Sequence, residues 1–158
     1  MIFWVASYPK SGNTWLRALL CSYYYSENGI FDQKLLNKID QFPQKKYYSN
    51  FNYDRTIATD TPKFWIKAQE IINLDKKIKF FKTHNILGGL NGNHFTNIKN
   101  TIGGIYIVRD PRNVITSLKN HFEMNNSMAL EFMLNKNKYT YDYHAENDYS
   151  DFQLISSW

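Results

Sequence analysis

An α/β fold with a central parallel sheet flanked by helices follows from three observations. Short apolar runs rich in β-formers recur at "IFWVAS", "KIKFFKTH" and "IGGIYIVRD". Segments with helical periodicity separate them. Each run leads into a polar stretch: "SYPKSGNTW", "KTHN" and "RDPRNVITS". Strands alternating with helices favour a parallel sheet, with ligands bound beyond the carboxyl ends of the strands.

The elements follow in order. Ile2 to Ser7 is almost unbroken in apolar character and reads as a strand buried on both faces. Tyr8 to Asn13 is a loop, and a helix runs from Thr14 to Glu27. Leu16, Leu19, Leu20, Tyr23 and Tyr24 form its apolar stripe, and Gly29 is the expected stop. Gln33 to Asp60 is polar and aromatic with weak periodicity, which predicts irregular chain or short elements. In "TDTPKFWIKAQEIINL", Thr61 suits a cap and Pro62 the first turn. Phe64, Trp65, Ala68, Ile71 and Ile72 mark the buried face of that helix. The second strand ends near Lys82, and Asn91 to Asn100 reads as a loop or short helix. The third strand centres on Ile105 to Val108. Asp110 then caps a helix with Pro111 as its first residue and Val114, Leu118 and Phe122 on one face. "SMALEFMLNKN" predicts a further helix, and "YSDFQLISSW" the opening of another.

The chain has 158 residues, 43% of them hydrophobic and 17% aromatic, enough for one domain with a real core and too apolar for a disordered chain. Its net charge of +5 is a mild excess that suits an anionic ligand. The basic residues are too scattered for a nucleic-acid face. The many Lys, Asn, Ile and Tyr residues also fit an AT-rich genome. The single Cys21 allows no internal disulfide, reads as a small buried group, and fits a reducing, cytoplasmic setting. No apolar run reaches the roughly 20 residues of a membrane span. "MIFWVASYPK" lacks the basic start of a signal peptide.

Three stretches carry the chemistry. "SYPKSGNTW" joins a strand to a helix, where free N–H groups and the helix dipole favour an anion. Gly12 permits close backbone approach. Lys10 adds charge, and Ser11, Asn13 and Thr14 add neutral donors. The order is not that of a triphosphate loop, because Lys10 precedes the glycine instead of following it. An ordinary capped turn with Lys10 as a surface charge accounts for the same residues. In "RDPRNVITS", Arg109 ends a strand and Ser117 lies eight residues on, inside the helix. Both can reach one phosphate, although Arg109 can equally pair with an acid. In "KTHN", His84 suits a general base and Lys82 can neutralise charge beside it. A lone histidine is also a common structural residue. His94, His121 and His144 have no comparable setting and show no metal-ligand spacing.

Together the three stretches resemble the sulfotransferases that use 3′-phosphoadenosine 5′-phosphosulfate. The family's Y-P-K-S-G-[TN]-T-W pattern is matched by Tyr8 to Trp15 without a gap. Its R-[DN]-P-[RK]-[ND]-V pattern with a following serine is matched by Arg109 to Ser117, and K-[ST]-H by Lys82 to His84. The resemblance implies a P-loop-like three-layer fold and assigns Lys10, Ser11, Gly12, Asn13 and Thr14 to the 5′-phosphosulfate. It sets Trp15 against the adenine and puts Arg109 and Ser117 on the 3′-phosphate. It also implies in-line transfer of a sulfuryl group to an acceptor hydroxyl or amine. His84 is then the base, Lys10 offsets charge on the leaving oxygen, and Lys82 assists at the transferring group. No metal is implied. The acceptor is a small molecule, lipid or glycan, walled by Phe31 to Asp60 and Met124 to Trp158. Residues 1–158 correspond to the N-terminal portion of the family's domain. A second basic, glycine-containing stretch that the family carries near its C-terminus has no match here. Two alternatives stay open: a non-catalytic fragment that binds adenosine 3′,5′-bisphosphate, and a P-loop kinase for a small metabolite.

Overall fold

The computed structural model describes residues 1–141 and 151–158. Its centre is a four-stranded parallel sheet. β1 (Ile2–Ser7) pairs with β3 (Lys79–Thr83) on one side and with β6 (Thr101–Ile107) on the other. β2 (Asp40–Gln41) adds beyond β3, giving the order β2-β3-β1-β6. Helices flank this sheet, so the mixed α/β architecture is as expected, with one strand more than the sequence suggested.

β1 is the most enclosed strand. Ile2, Trp4, Val5 and Ser7 are all buried, which uses both of its faces. Trp4 sets the main core. Its ring lies 5.1 Å from Phe95 and 5.9 Å from Phe42, and its Nε1 donates to Thr101 Oγ1 at 2.9 Å. Phe81, Tyr48, Trp65 and Phe152 complete this cluster.

The first helix, α1 (Asn13–Tyr25), starts one residue earlier than predicted and ends at Ser26, before Gly29. Its expected apolar stripe is not the buried side. Leu19, Tyr23 and Tyr24 are exposed, and only Asn13 and Cys21 are fully buried. The inward line is Asn13, Arg17 and Cys21, spaced by four. Arg17 Nη2 donates to the Leu36 and Ile39 carbonyls, at 2.8 and 2.6 Å. Periodicity names an apolar face, but it does not decide which face the neighbouring chain needs.

The region from Gln33 to Asp60 holds 3₁₀ turns at Gln33–Lys38 and Lys45–Tyr48 around β2. A 3₁₀ turn at Thr61–Phe64 leads into α2 (Trp65–Ile72), a shorter helix than the pattern suggested. Thr61 does not cap it, because its hydroxyl donates to Asp151 Oδ1. Trp65 and Ala68 are buried as expected, Gln69 joins them, and Ile71 is exposed. Asn91 to Asn100, expected as loop or helix, contributes to a hairpin of β4 (Gly89–Leu90) and β5 (Asn93–His94). Asn91 and Gly92 turn it, with φ of 51° and 80°, the left-handed pair an Asn-Gly turn supplies.

α3 (Pro111–Phe122) begins as predicted, with the Asp110 side chain accepting from the Arg112 N–H. α4 (Asn126–Leu134) packs on it. Val114, Leu118, Ala129, Phe132 and Met133 form a second core with Tyr8 and Ile155. The predicted C-terminal helix is not formed over its described residues. β7 (Tyr139–Thr140) instead pairs antiparallel with β8 (Gln153–Leu154). Tyr149 and Ser150 of that stretch lie outside the described residues.

Candidate anion-binding active site

The parallel register places the three strand ends together. Val5 stands beside Lys82 and Ala6 beside Thr83 across β1 and β3, while Ser7 stands beside Ile107 across β1 and β6. The loop after β1, the end of β3 and the start of α3 therefore meet at one mouth of the sheet.

The loop is tightly wound. Lys10 has φ 66° and Gly12 φ 103°, and the Ser11 N–H reaches back to the Tyr8 carbonyl at 3.3 Å. A left-handed lysine costs of order 1–3 kcal/mol, a strain that collects at ligand clamps. At Gly12 the same hand is free of that cost. Arg109 Nη1 donates to the Lys10 carbonyl at 3.0 Å, so the arginine that follows β6 braces the loop that follows β1.

A cavity of about 650 Å³ opens here, within the usual size range of ligand pockets. Lys10, Gly12, Asn13, Thr14, Trp15, Lys82, His84, Arg109 and Ser117 all line it. Ser11 is the one predicted residue outside this wall. It is buried behind the loop, and its hydroxyl has no hydrogen-bond partner among the described residues. Trp15 stands at the opening with 72% of its surface exposed. His121, expected to have no functional setting, also lines the cavity, from α3. His94 sits on β5 away from it, and His144 lies outside the described residues.

The electrostatics are one-sided. Three cations, Lys10, Lys82 and Arg109, line the cavity with no carboxylate among its described lining residues. Burial pushes Lys82 down to about 8, and the nearby Arg17 and Lys10 charges push the same way. His84 is held down to about 3, chiefly by burial and then by the Lys82 charge, so its imidazole is neutral at ordinary pH. Held so low, the imidazole is neutral but only weakly basic, and negative charge brought among the neighbouring cations would raise its basicity.

Two glutamines that no motif announced complete the site. Gln41 on β2 accepts from Lys82 Nζ at 2.9 Å and orients it. Gln153 on β8 is buried, lines the cavity and accepts the His84 backbone N–H at 3.0 Å. The only sequence signal for either was position near an expected pocket wall. Among the described residues, no group of three His, Cys, Asp or Glu side chains is placed to hold a metal ion. No helix among them is long and apolar enough to cross a membrane.

Fold and site together define an α/β protein with a cation-lined cleft at the carboxyl ends of its strands. A family model described as "Sulfotransferase domain" matches residues 2–156, and the chain belongs to that family. No curated protein and no solved structure gives a significant match.

Proposed function

We propose that the protein is a sulfotransferase that takes its sulfuryl group from 3′-phosphoadenosine 5′-phosphosulfate. The observation that carries this reading is the single cavity lined by Lys10, Lys82 and Arg109 without a described carboxylate. Such a wall suits a ligand with two separate anionic ends. Its described lining residues include none of the acidic ligands on which magnesium-dependent phosphoryl transfer relies, so the kinase alternative has no support from them.

Lys10, Gly12, Asn13 and Thr14 hold the 5′-phosphosulfate with the loop's N–H groups and the Lys10 ammonium, and Ser11 supports them from behind. Arg109 and Ser117 hold the 3′-phosphate, and Trp15 offers its ring to the adenine. When bound, the donor supplies an activated sulfuryl group. His84 accepts the proton of the acceptor hydroxyl or amine. Lys82, steadied by Gln41, faces the transferring group, and Lys10 offsets the negative charge that grows on the leaving phosphate oxygen. The acceptor is a small molecule, lipid or glycan, with Phe122, Phe132 and Ile155 as its apolar contacts. The cytoplasm is the proposed setting, a reading to which the free, buried thiol of Cys21 lends support.

Two measurements test this. Calorimetry should find adenosine 3′,5′-bisphosphate bound in preference to ATP, and equal or tighter magnesium-dependent ATP binding would favour the kinase. His84→Ala should lower the single-turnover rate by about 10²–10⁴-fold with bisphosphate affinity little changed. Near-normal chemistry in that variant would remove His84 from the mechanism.

A further inference from the structure

Asn13 belongs to the anion loop by position, yet its side chain faces the other way. It is 4% exposed, and its Nδ2 donates to the Val5 carbonyl at 2.9 Å and to Ser7 Oγ at 3.1 Å. A carbonyl only accepts, so the amide orientation is determined. The remaining polar atom, Oδ1, is a buried acceptor without a partner among the described residues. An acceptor has nothing to offer an anion. The side chain therefore contributes nothing to holding a phosphosulfate.

Its partner Ser7 is 2% exposed and lies against His84. His84 Nδ1 is 2.8 Å from the Ser7 carbonyl oxygen and 3.2 Å from Ser7 Oγ. A bare Nδ1 lone pair so close to carbonyl lone pairs would be repelled. Nδ1 therefore carries the hydrogen and donates it to Ser7, leaving Nε2 as the nitrogen that can accept a proton.

We propose that Ser7 and Asn13 are positioning residues for His84: Asn13 pins Ser7, and Ser7 holds the imidazole in its Nδ1–H tautomer. The inference rests on His84 as the base. It adds that the donor loop and the base share one anchor at the end of β1: the Asn13 backbone N–H serves the donor, while its side chain, turned away, controls the proton acceptor. The same contact explains why the base faces one way before any ligand arrives.

The test is long-range ¹H–¹⁵N NMR on the full chain with ¹⁵N-labelled histidine at neutral pH. The parent should show a protonated Nδ1 and a lone-pair Nε2 for His84. In Asn13→Ala the two signals should move toward each other as the second tautomer becomes populated. The single-turnover rate should fall roughly tenfold to a hundredfold, the scale of a displaced catalytic group, while adenosine 3′,5′-bisphosphate affinity by calorimetry stays close to the parent's. Ser7→Ala keeps the carbonyl and severs only the hydroxyl link, so it tests the pair even if Asn13→Ala fails to fold. It should shift the same signals by less, and Asn13→Ala should add little on top of it. A parent protonated at Nε2 would overturn the proposal. So would Asn13→Ala that loses bisphosphate affinity with His84 signals unmoved, since Asn13 would then be a donor ligand. The expected signal shifts together with a normal single-turnover rate in His84→Ala would sustain the positioning pair and discard the base.

Discussion

The cavity has a buried wall and an open wall, and the two differ in how they place and tune their cations. On the buried side stand the ends of β1 and β3. Ser7 is enclosed, Lys82 is braced by Gln41, and the strongly shifted groups, Lys82 and His84, are both here. On the open side β6 delivers Arg109, although Ile102, Ile105, Tyr106 and Val108 along and just beyond that strand are exposed. β1 and β6 look alike as apolar runs, yet one is core and the other is an edge. A strand places the residue at its end by its register with its neighbour, whether or not its own faces are covered. Enclosure instead decides how far the placed group is tuned, because desolvation is what moves Lys82 and His84.

The largest effect expected from this contrast is on stability. Trp4→Ala should cost about 3–5 kcal/mol, because it empties the centre of the aromatic cluster and removes the hydrogen bond to Thr101. Tyr106→Ala, at a position 64% exposed, should change stability by only about 0.5 kcal/mol. Denaturant unfolding of both variants checks the pair. A large loss in Tyr106→Ala would mean that β6 is covered in solution, and the contrast between the strands would fail.

Next in size is the ligand contact proposed for the open wall. Arg109→Ala should weaken adenosine 3′,5′-bisphosphate by about 1.5–3 kcal/mol, roughly tenfold to a hundredfold, with far less effect on adenosine 5′-phosphate. Arg109 also donates to the Lys10 carbonyl, so it has a second job in bracing the loop. Equal weakening of both ligands would assign it to the brace alone.

The sequence was most legible where long elements and motifs coincide. β1, α1, β6 and α3 lie within a few residues of their predicted places, and the loop, Lys82, His84, Arg109 and Ser117 meet at one cavity. Two-residue strands were illegible, because β2, β7 and β8 have no period to read and exist only through their partners. The hairpin turned by Asn91 and Gly92 did carry a signal, the Asn-Gly pair, set within flanks too polar to read as strands. Gln41 and Gln153 act through register and a hairpin, which no local pattern encodes. The inward side of α1 was misjudged because Arg17 and Asn13 satisfy backbone carbonyls there, a demand that hydrophobic counting ignores.

The smallest predicted effect sharpens the buried wall itself. Free Lys82 titrates near 8, because burial and the Arg17 and Lys10 charges disfavour its ammonium. A bound polyanion supplies the opposite charge and should raise that value. The sign follows. Near pH 8 about half of the free lysine is neutral, so binding should draw up to about half a proton from solution. Affinity for adenosine 3′,5′-bisphosphate should then decline as pH rises above about 8, where each further binding event must first protonate Lys82. From about pH 7 down the lysine is mostly charged and affinity should level off, until the ligand's own phosphates take up protons at about pH 6. Calorimetry in buffers of different ionisation enthalpy reads the uptake directly, as the slope of apparent heat against buffer heat. Lys82→Arg should abolish the uptake and keep affinity at high pH, since a guanidinium stays charged. Lys82→Ala should abolish the uptake and lower affinity at pH 7. If the parent takes up no proton at pH 8, the 5′-phosphate left after sulfuryl transfer does not reach the Lys82 charge, and the pH dependence argued from it fails.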